Sequence, residues 1–146
     1  MIRNVTAADR AEFLKMTDAF YHSDAVLHPV SMEIQTRVFE EAIRADTYLE
    51  AFVFPVGETL AGYAIINKSF STEVGGRIIW IEDIYVRPEF RGQGLGAAFF
   101  AFLEERFGED LCRLRLEVDF DNDRAKALYE RLGFSDLPYR QMVKDF

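Results

Sequence analysis

Three glycines at alternate positions, Gly92, Gly94 and Gly96, follow an apolar segment ending at Val86 and open a helical pattern. Glycine has no side chain, so it lets a ligand approach the backbone closely. The first turn of a helix carries unpaired N–H groups and the positive end of the helix dipole. The stretch therefore predicts a strand–turn–helix unit that binds phosphate or pyrophosphate, with Arg91 adding positive charge.

Other interpretations of these glycines are weaker. The spacing from Gly92 to Ala97 fits a dinucleotide fingerprint, but that fold needs two βαβ halves, and too few residues follow. A Walker phosphate loop ends in Gly-Lys-Ser/Thr, which the chain lacks here. Close helix–strand packing alone would not require three glycines beside an arginine. An anion site remains the preferred interpretation.

No linker, repeat or low-complexity tract divides the chain, so the sequence predicts one domain over residues 1–146. Hydrophobic periodicity then predicts the order of its elements. The order β-α-α-β-β-β-α-β-α-β is an α+β fold with a mixed, mostly antiparallel central sheet flanked by helices. Thr6, Ser31 and Asn122 stand where N-caps are expected, and the first helix should end near Tyr21. The strand candidates are residues 2–5, 48–54, 60–66, 77–86, 112–120 and 139–145.

The charge balance restricts the possible partners. Seventeen basic and 25 acidic side chains give a net charge of −8, which opposes nucleic-acid binding and attracts small cations such as amines. The longest apolar run, seven residues, is far below the roughly 18 that cross a membrane. A single cysteine and an N-terminus without a signal-like apolar core favour a cytoplasmic protein. His22 and His28 have no third ligand nearby, so we expect no metal site.

Two motifs resemble those of the GNAT family of N-acetyltransferases. Arg91-x-x-Gly94-x-Gly96-Ala97 is similar to the acetyl-CoA signature Gln/Arg-x-x-Gly-x-Gly/Ala, and the stretch from Asn122 to Phe134 resembles the second signature, Asn-x-x-Ala-x-x-Leu-Tyr-x-x-x-Gly-Phe. The predicted element order matches that fold from end to end. The resemblance implies a GNAT fold, acetyl-CoA as co-substrate without a metal, and transfer of an acetyl group to an amine.

A narrower resemblance concerns diamine (spermidine/spermine) acetyltransferases. The segment Gly76-Arg-Ile-Ile-Trp-Ile-Glu-Asp-Ile-Tyr-Val86 is similar to their Leu-Glu-Asp-Phe-Phe-Val run, which supplies a substrate-side carboxylate, and Ser-Asp-Leu at 135–137 is also similar. This resemblance implies a small-molecule amine substrate, a polyamine or diamine, and the wider resemblance to the GNAT family implies a homodimer. It places Tyr21 and Asp24 where the fold closes over the acceptor, although helix-surface solvation explains them equally well.

Glu82 is the candidate base, because an alkyl ammonium with a pKa of about 10.4 must lose a proton before its nitrogen can attack. Glu82 stands in an apolar segment just before the glycine turn. In a regular strand Asp83 points to the opposite face, unless a bulge changes the alternation. Asp83, or a water relay, is therefore an alternative base. A pair of carboxylates satisfied by arginines is the structural alternative.

Tyr129 is the candidate acid, because a phenol stays protonated at neutral pH and can donate to the departing thiolate. Its position on the inner stripe of the last helix also suits an ordinary core tyrosine. Asn122 can cap that helix and, as the resemblance implies, hydrogen-bond the pantetheine arm. The resemblance also places pantetheine beside Ile84, Tyr85 and Val86, and this requires the strand to splay from its neighbour. The residues implied for the pyrophosphate are Arg91, Gly92, Gln93, Gly94, Leu95, Gly96 and Ala97.

Two further interpretations stay open at this point. The acceptor can instead be an amino acid, an aminoglycoside or a peptide or protein amine, since no clear motif marks the acceptor loops. A non-catalytic domain that binds or senses acyl-CoA would keep residues 91–97 but would not need Glu82 or Tyr129. The presence of both favours the enzyme.

Overall fold

A five-stranded sheet forms the centre of the computed structural model, which describes residues 1–146. The strands lie in sequence order, the first four pair antiparallel, and the fifth runs parallel to the fourth. This mixed sheet confirms the predicted α+β class. The strands are β1 (Arg3–Asn4), β2 (Leu49–Val56), β3 (Thr59–Ser71), β4 (Gly76–Val86) and β5 (Leu111–Leu116).

Four helices cover the two faces of the sheet: α1 (Arg10–Tyr21), α2 (Met32–Arg44), α3 (Leu95–Phe107) and α4 (Asp123–Arg131). Helices α1 and α2 pack on one face through a core cluster that contains Phe13 and Phe39. Helices α3 and α4 pack on the other face through a second cluster with Phe99 and Tyr129. None of the helices is both long enough and apolar enough to span a bilayer.

The helix boundaries follow the capping residues that the sequence indicates. Thr6 and Asp9 form a reciprocal capping box before α1, and α1 ends at Tyr21 as predicted. The Ser31 side chain accepts a hydrogen bond from the Ile34 amide at the start of α2. These caps satisfy amide groups that a helix N-terminus otherwise leaves unpaired.

The predicted final strand, residues 139–145, does not form. The chain has no helix or strand after α4, and Tyr139, Met142 and Val143 are exposed by 66%, 92% and 86%. A strand needs a partner edge, and the only backbone hydrogen bond made by residues 135–146 is the local one from the Tyr139 amide to the Leu137 carbonyl. The alternating pattern was a valid local signal, but the segment reaches no strand with which to pair.

Candidate active site

The glycine turn after β4 leaves a set of backbone amides free. Gly92 and Gly94 adopt φ angles of +78° and +80°, which side-chain-bearing residues rarely reach. Gly94 is the N-cap of α3, and its carbonyl accepts the first helical hydrogen bond, from the Ala98 amide at 2.9 Å. The amides of residues 95–97 therefore have no acceptor within the protein and lie at the positive end of the helix. This is the geometry of an anion site.

Side chains around the turn are arranged consistently with that role. The exposed Arg91 folds back so that its Nε donates to the Val86 carbonyl at 2.9 Å. Gln93 is also exposed, while Gly96 packs so closely against α4 that a Cβ there would lie 3.3 Å from Leu128 Cδ2. The turn thus holds Arg91 against the end of β4, and a small residue at position 96 lets α3 and α4 approach.

Beyond residue 81, the edge of β4 that faces β5 is not paired with any strand. The parallel pairing between the two strands ends with Ile81 opposite Leu116, whereas β4 continues to Val86. The two strands therefore separate, as the family resemblance requires.

The orientation of the free edge follows from one hydrogen bond. The Arg87 amide donates to the Ala61 carbonyl of β3 at 2.8 Å. Backbone groups alternate in direction along an antiparallel strand, so residues 83 and 85 also bond toward β3. Ile84 and Val86 then direct their N–H and C=O groups to the open side. Because the Val86 carbonyl already accepts from Arg91 Nε, an extended ligand lying there can pair with the Ile84 N–H and C=O and with the Val86 N–H, as an added strand does.

A bulge at Glu82 corrects the expectation that Glu82 and Asp83 point to opposite faces. Opposite β3, Ile81 pairs with Ile66 and Asp83 pairs with Ile65, so Glu82 is the extra residue. A bulge inserts one residue into the alternation and turns the side chains that follow. Both carboxylates accordingly reach β3 side chains on the face that α1 and α2 cover: Asn67 for Glu82, and Tyr63 for Asp83.

Glu82 lies at the margin of this face, where its environment disfavours the charged form. Its carboxylate accepts a hydrogen bond from the Asn67 side-chain amide, and part of the side chain stays exposed. Partial burial, together with the nearby charge of Glu117, raises the pKa of Glu82 above its usual range. A carboxylate with a raised pKa is a stronger base than an ordinary glutamate, which suits it to accept a proton.

Asp83 is the most enclosed carboxylate near the open edge, with 5% of its surface exposed. The Tyr21 hydroxyl lies 3.0 Å from both of its oxygens and the Tyr63 hydroxyl lies 3.2 Å from Oδ2, so both tyrosines donate to it. Burial raises the pKa of Asp83 to about 6 in spite of these two hydrogen bonds, which lower it. The pKa of Tyr21 and that of Tyr63 are raised in turn, chiefly by burial.

The raised pKa of Asp83 predicts a pH-dependent stability. A carboxyl that holds its proton more tightly when folded stabilises the protein at low pH, and this contribution disappears as the pH rises through about 6. When the pH rises from 5 to 8, we expect the unfolding free energy of the wild type to fall by about 1 to 2 kcal/mol more than that of the Asp83→Asn variant. Urea denaturation of both proteins at the two pH values measures this double difference.

The exposed loop variant Asp24→Asn is the matched control for that experiment. Its double difference should be near zero. A flat difference between the wild type and Asp83→Asn would show that Asp83 is ionised in the folded protein at pH 5.

A narrow cavity adjoins Asp83 under the loop between α1 and α2. It combines apolar walls with the carboxylate and a tyrosine, and its accessible volume of about 20 Å³ suits a water-sized group such as the terminal ammonium of an amine. Asp24 does not line this cavity, because it lies exposed in the loop. The lining residues are Thr17, Tyr21, Val30, Ile34, Gln35, Val38, Ile65 and Asp83.

Helix α4 presents Tyr129 and Asn122 on the opposite face of the sheet. Tyr129 is 9% exposed and packs edge-on against Phe100. Its hydroxyl bonds to no protein group but reaches solvent, since Arg87 Nε is the only fully buried side-chain atom without a partner. Burial raises the pKa of Tyr129, so the phenol stays protonated at neutral pH. Asn122 accepts a hydrogen bond from the Ala125 amide at 3.2 Å, which confirms its capping role and leaves its own NH₂ group free.

Two residues of this site, Tyr63 and Gln35, were not predicted from the sequence. Tyr63 donates to Asp83, and Gln35 lines the cavity. Both occupy positions in apolar patterns that predict ordinary core. The alternation of β3 puts Tyr63 on the same face as residues 65 and 67, so knowledge of the pairing partner of Asp83 would have revealed it.

The geometry defines a class of enzyme. Free amides at a helix N-terminus suit a phosphate-bearing carrier, the open edge of β4 suits an extended arm, and two carboxylates at the far end of that edge suit an amine. A molecule so arranged is a transferase that moves an acyl group from such a carrier to an amine.

Comparison with known proteins specifies the family. Residues 13–134 match the Acetyltransferase (GNAT) family. The thialysine N-epsilon-acetyltransferase of Bos taurus is 38% identical over 117 residues, covering 70% of this chain and 68% of that protein. Its namesake from Mus musculus is 30% identical over 150 residues, covering 93% and 84%. The crystal structure of a possible acetyltransferase from Clostridium difficile 630 has a TM-score of 0.86 at 20% identity and covers 100% of this chain and 97% of its own. The chain belongs to the acetyltransferase (GNAT) family and is an N-acetyltransferase.

Proposed function

We propose that the enzyme transfers the acetyl group of acetyl-CoA to the primary amine of a small molecule of the polyamine or diamine class. The observation that carries this proposal is the bulge at Glu82, which brings two carboxylates to one face beside the open end of β4. A carboxylate pair favours a cationic acceptor with more than one amine. The net charge of −8 acts in the same direction by attracting such cations.

Three groups of the chain have separate roles when the amine attacks acetyl-CoA directly in a ternary complex of enzyme, acetyl-CoA and amine. Glu82 takes a proton from the acceptor ammonium, directly or through a water, so that the amine nitrogen can form its bond to the acetyl carbon. The Ile84 N–H, which faces the open edge, is the donor best placed for the negative charge that develops on the carbonyl oxygen. As the carbon–sulfur bond breaks, Tyr129 gives its proton to the departing sulfur. The second proton that the nitrogen loses on becoming an amide restores the Tyr129 phenol through solvent.

Binding roles follow from the same arrangement. The free amides of residues 95–97 and the Arg91 guanidinium hold the pyrophosphate, with Gln93 and the glycines shaping the turn. The Ile84 C=O and the Val86 N–H, together with Asn122, hold the pantetheine arm, while the Val86 carbonyl keeps its hydrogen bond from Arg91. Asp83 and Tyr21 bind the second cation of the acceptor. The Tyr85 ring forms part of the acceptor site on the face of the sheet that α1 and α2 cover. Its centroid lies 5.9 Å from that of the Tyr63 ring.

A second candidate acceptor is an amino acid with a side-chain amine. It is favoured by the relatives from Bos taurus and Mus musculus, both of which are named for thialysine. Such a substrate also brings an ammonium to Glu82. It differs in carrying a carboxylate of its own, which would lie near Asp83 only at an electrostatic cost.

The test is release of free thiol from acetyl-CoA over a panel of amines. Diamines and polyamines form one arm, thialysine and lysine the second, and aminoglycosides and short peptides the third. We expect the highest kcat/KM in the first arm. Saturable turnover in the second arm alone would replace the polyamine proposal by the amino-acid one, and turnover in the third alone would overturn both.

A homodimer and a cytoplasmic location complete the proposal. The outer edge of β5 has no partner strand, and apolar side chains of the C-terminal segment, among them Tyr139 and Met142, are exposed. Exposed strand edges and apolar surface are typical of association sites. A single cysteine agrees with a reducing compartment. Light scattering should give a mass near twice 16.9 kDa, and a clean monomer would contradict the dimer.

A further inference from the structure

One buried amide links the two helices and the loop that flank the cavity. Gln35 is 2% exposed in the second turn of α2. Its Oε1 accepts from the Thr17 hydroxyl of α1 at 2.6 Å, and its Nε2 donates to the Val30 carbonyl at 2.9 Å. The same Nε2 lies 3.3 Å from Asp18 Oδ1. Both donors of this amide and its oxygen are thus bonded to α1 or to the end of the loop.

The hydrogen bond to the Val30 carbonyl connects the Gln35 amide to the wall of the cavity. Val30 is the last residue before the N-cap of α2, and its side chain lines the cavity together with Ile34, one helical turn further on. Asp83 and Tyr21 also line it. The Gln35–Val30 hydrogen bond therefore fixes the distance between an apolar wall and the buried carboxylate.

We infer that Gln35 is a positioning residue for the acceptor amine, holding the loop of residues 22–30 closed against α1 so that the cavity beside Asp83 keeps its shape. The inference rests on the proposed function, because it assigns the cavity to the acceptor. It involves no contact between Gln35 and the reacting atoms. Losing the amide removes the donor to the Val30 carbonyl, whereas the Thr17 hydroxyl can still donate to the Leu14 carbonyl, and the lost Val30 bond favours an open loop.

The test uses Gln35→Met, which keeps the length of the side chain and removes its hydrogen bonds. The matched control is Gln141→Met, the same exchange in the exposed C-terminal segment. We expect the KM for the best diamine to rise about tenfold, the loss of roughly one net hydrogen bond. The KM for acetyl-CoA and the kcat at saturating amine should stay within twofold of the wild type.

This KM-against-kcat split separates positioning from general damage. A merely destabilised protein loses active fraction, which lowers kcat and leaves both KM values unchanged. An acceptor KM within twofold of the wild type would overturn the inference, and so would an equal rise in both KM values.

A second variant guards against poor folding of the first. Gln35→Glu keeps the shape and the acceptor for Thr17. Its ionised carboxylate repels both the Val30 carbonyl and the Asp18 carboxylate, whereas a protonated one can donate to the Val30 carbonyl. Buried carboxyls have raised pKa values, so its acceptor KM, relative to that of the wild type at the same pH, should be nearer to normal at pH 6 than at pH 8. A ratio independent of pH would count against the Val30 hydrogen bond.

Loop opening can be measured without any substrate. Thermolysin should cleave the loop of residues 22–30 several-fold faster in Gln35→Met than in the wild type or in Gln141→Met. If the wild type acetylates no amine, the proposed function fails while this readout still tests the inference. Equal cleavage rates in the three proteins would overturn it.

Discussion

The Glu82→Gln variant will have a kcat lowered by about 10²- to 10³-fold at pH 7.5, in the range that a positioned general base contributes. The acceptor arrives as an ammonium, and with a pKa of about 10.4 only about one molecule in a thousand is neutral at that pH. Glutamine keeps the size of the side chain and a hydrogen bond to Asn67, but it cannot take the proton. Steady-state thiol release measures the loss.

Binding of acetyl-CoA should be unchanged in the same variant, because the anion site lies at the start of α3, beyond the end of β4. Calorimetric titration with acetyl-CoA provides that comparison. Wild-type turnover in Glu82→Gln would remove this residue from the proton transfer. A loss of equal size in Asp83→Asn, with Glu82→Gln unaffected, would assign the base to Asp83.

The pH profile gives an independent test of the same role. Glu82 must be ionised to act, so kcat/KM rises with pH through the pKa of this carboxyl, which its surroundings hold above the usual range. Glu117 contributes to that rise by repulsion. The Glu117→Gln variant should therefore shift the acidic limb of the profile to lower pH while turnover persists. An unmoved limb would mean that another group titrates there.

The local elements of this fold could be predicted from sequence because their signals are short-range. Caps at Thr6, Ser31 and Asn122 and the stop of α1 at Tyr21 depend on neighbouring residues only. The glycine turn is equally local, since the left-handed φ angles of Gly92 and Gly94 and the start of α3 arise within a few residues. These signals predicted the glycine turn and the start of α3, both of which are observed.

Features that depend on strand pairing could not be predicted. The bulge at Glu82 exists because β4 must match the register of β3 on one side while it separates from β5 on the other. Nothing in the sequence of β4 alone specifies that extra residue. The absent strand at 139–145 has the same origin, because alternation selects a face and gives no partner edge. Asp83 and Tyr21 are 62 residues apart, so only the fold shows that they meet.

The Tyr129→Phe variant will lose about 10- to 100-fold in kcat while its stability changes little. Its effect is smaller than that of the base, because a thiol with a pKa near 8.5 leaves tolerably well as a thiolate without protonation. The Tyr129 hydroxyl has no partner within the protein, so removing it breaks no hydrogen bond, and the ring keeps its contacts with Phe100 and Phe134. Thermal unfolding and thiol release on the same samples measure the two quantities.

Comparing stability with kcat distinguishes a catalytic role of Tyr129 from a structural one. A core tyrosine whose hydroxyl supported the fold would lose stability on conversion to Phe, and its kcat would fall only in proportion to the unfolded fraction. Tyr48→Phe, at a side chain 68% exposed near the start of β2, is the matched control and should leave both quantities unchanged. A variant at position 129 with normal kcat would show that water, or no acid at all, protonates the departing sulfur. Because burial holds the pKa of Tyr129 above its usual range, the phenol stays protonated at neutral pH and its ionisation does not limit wild-type activity there.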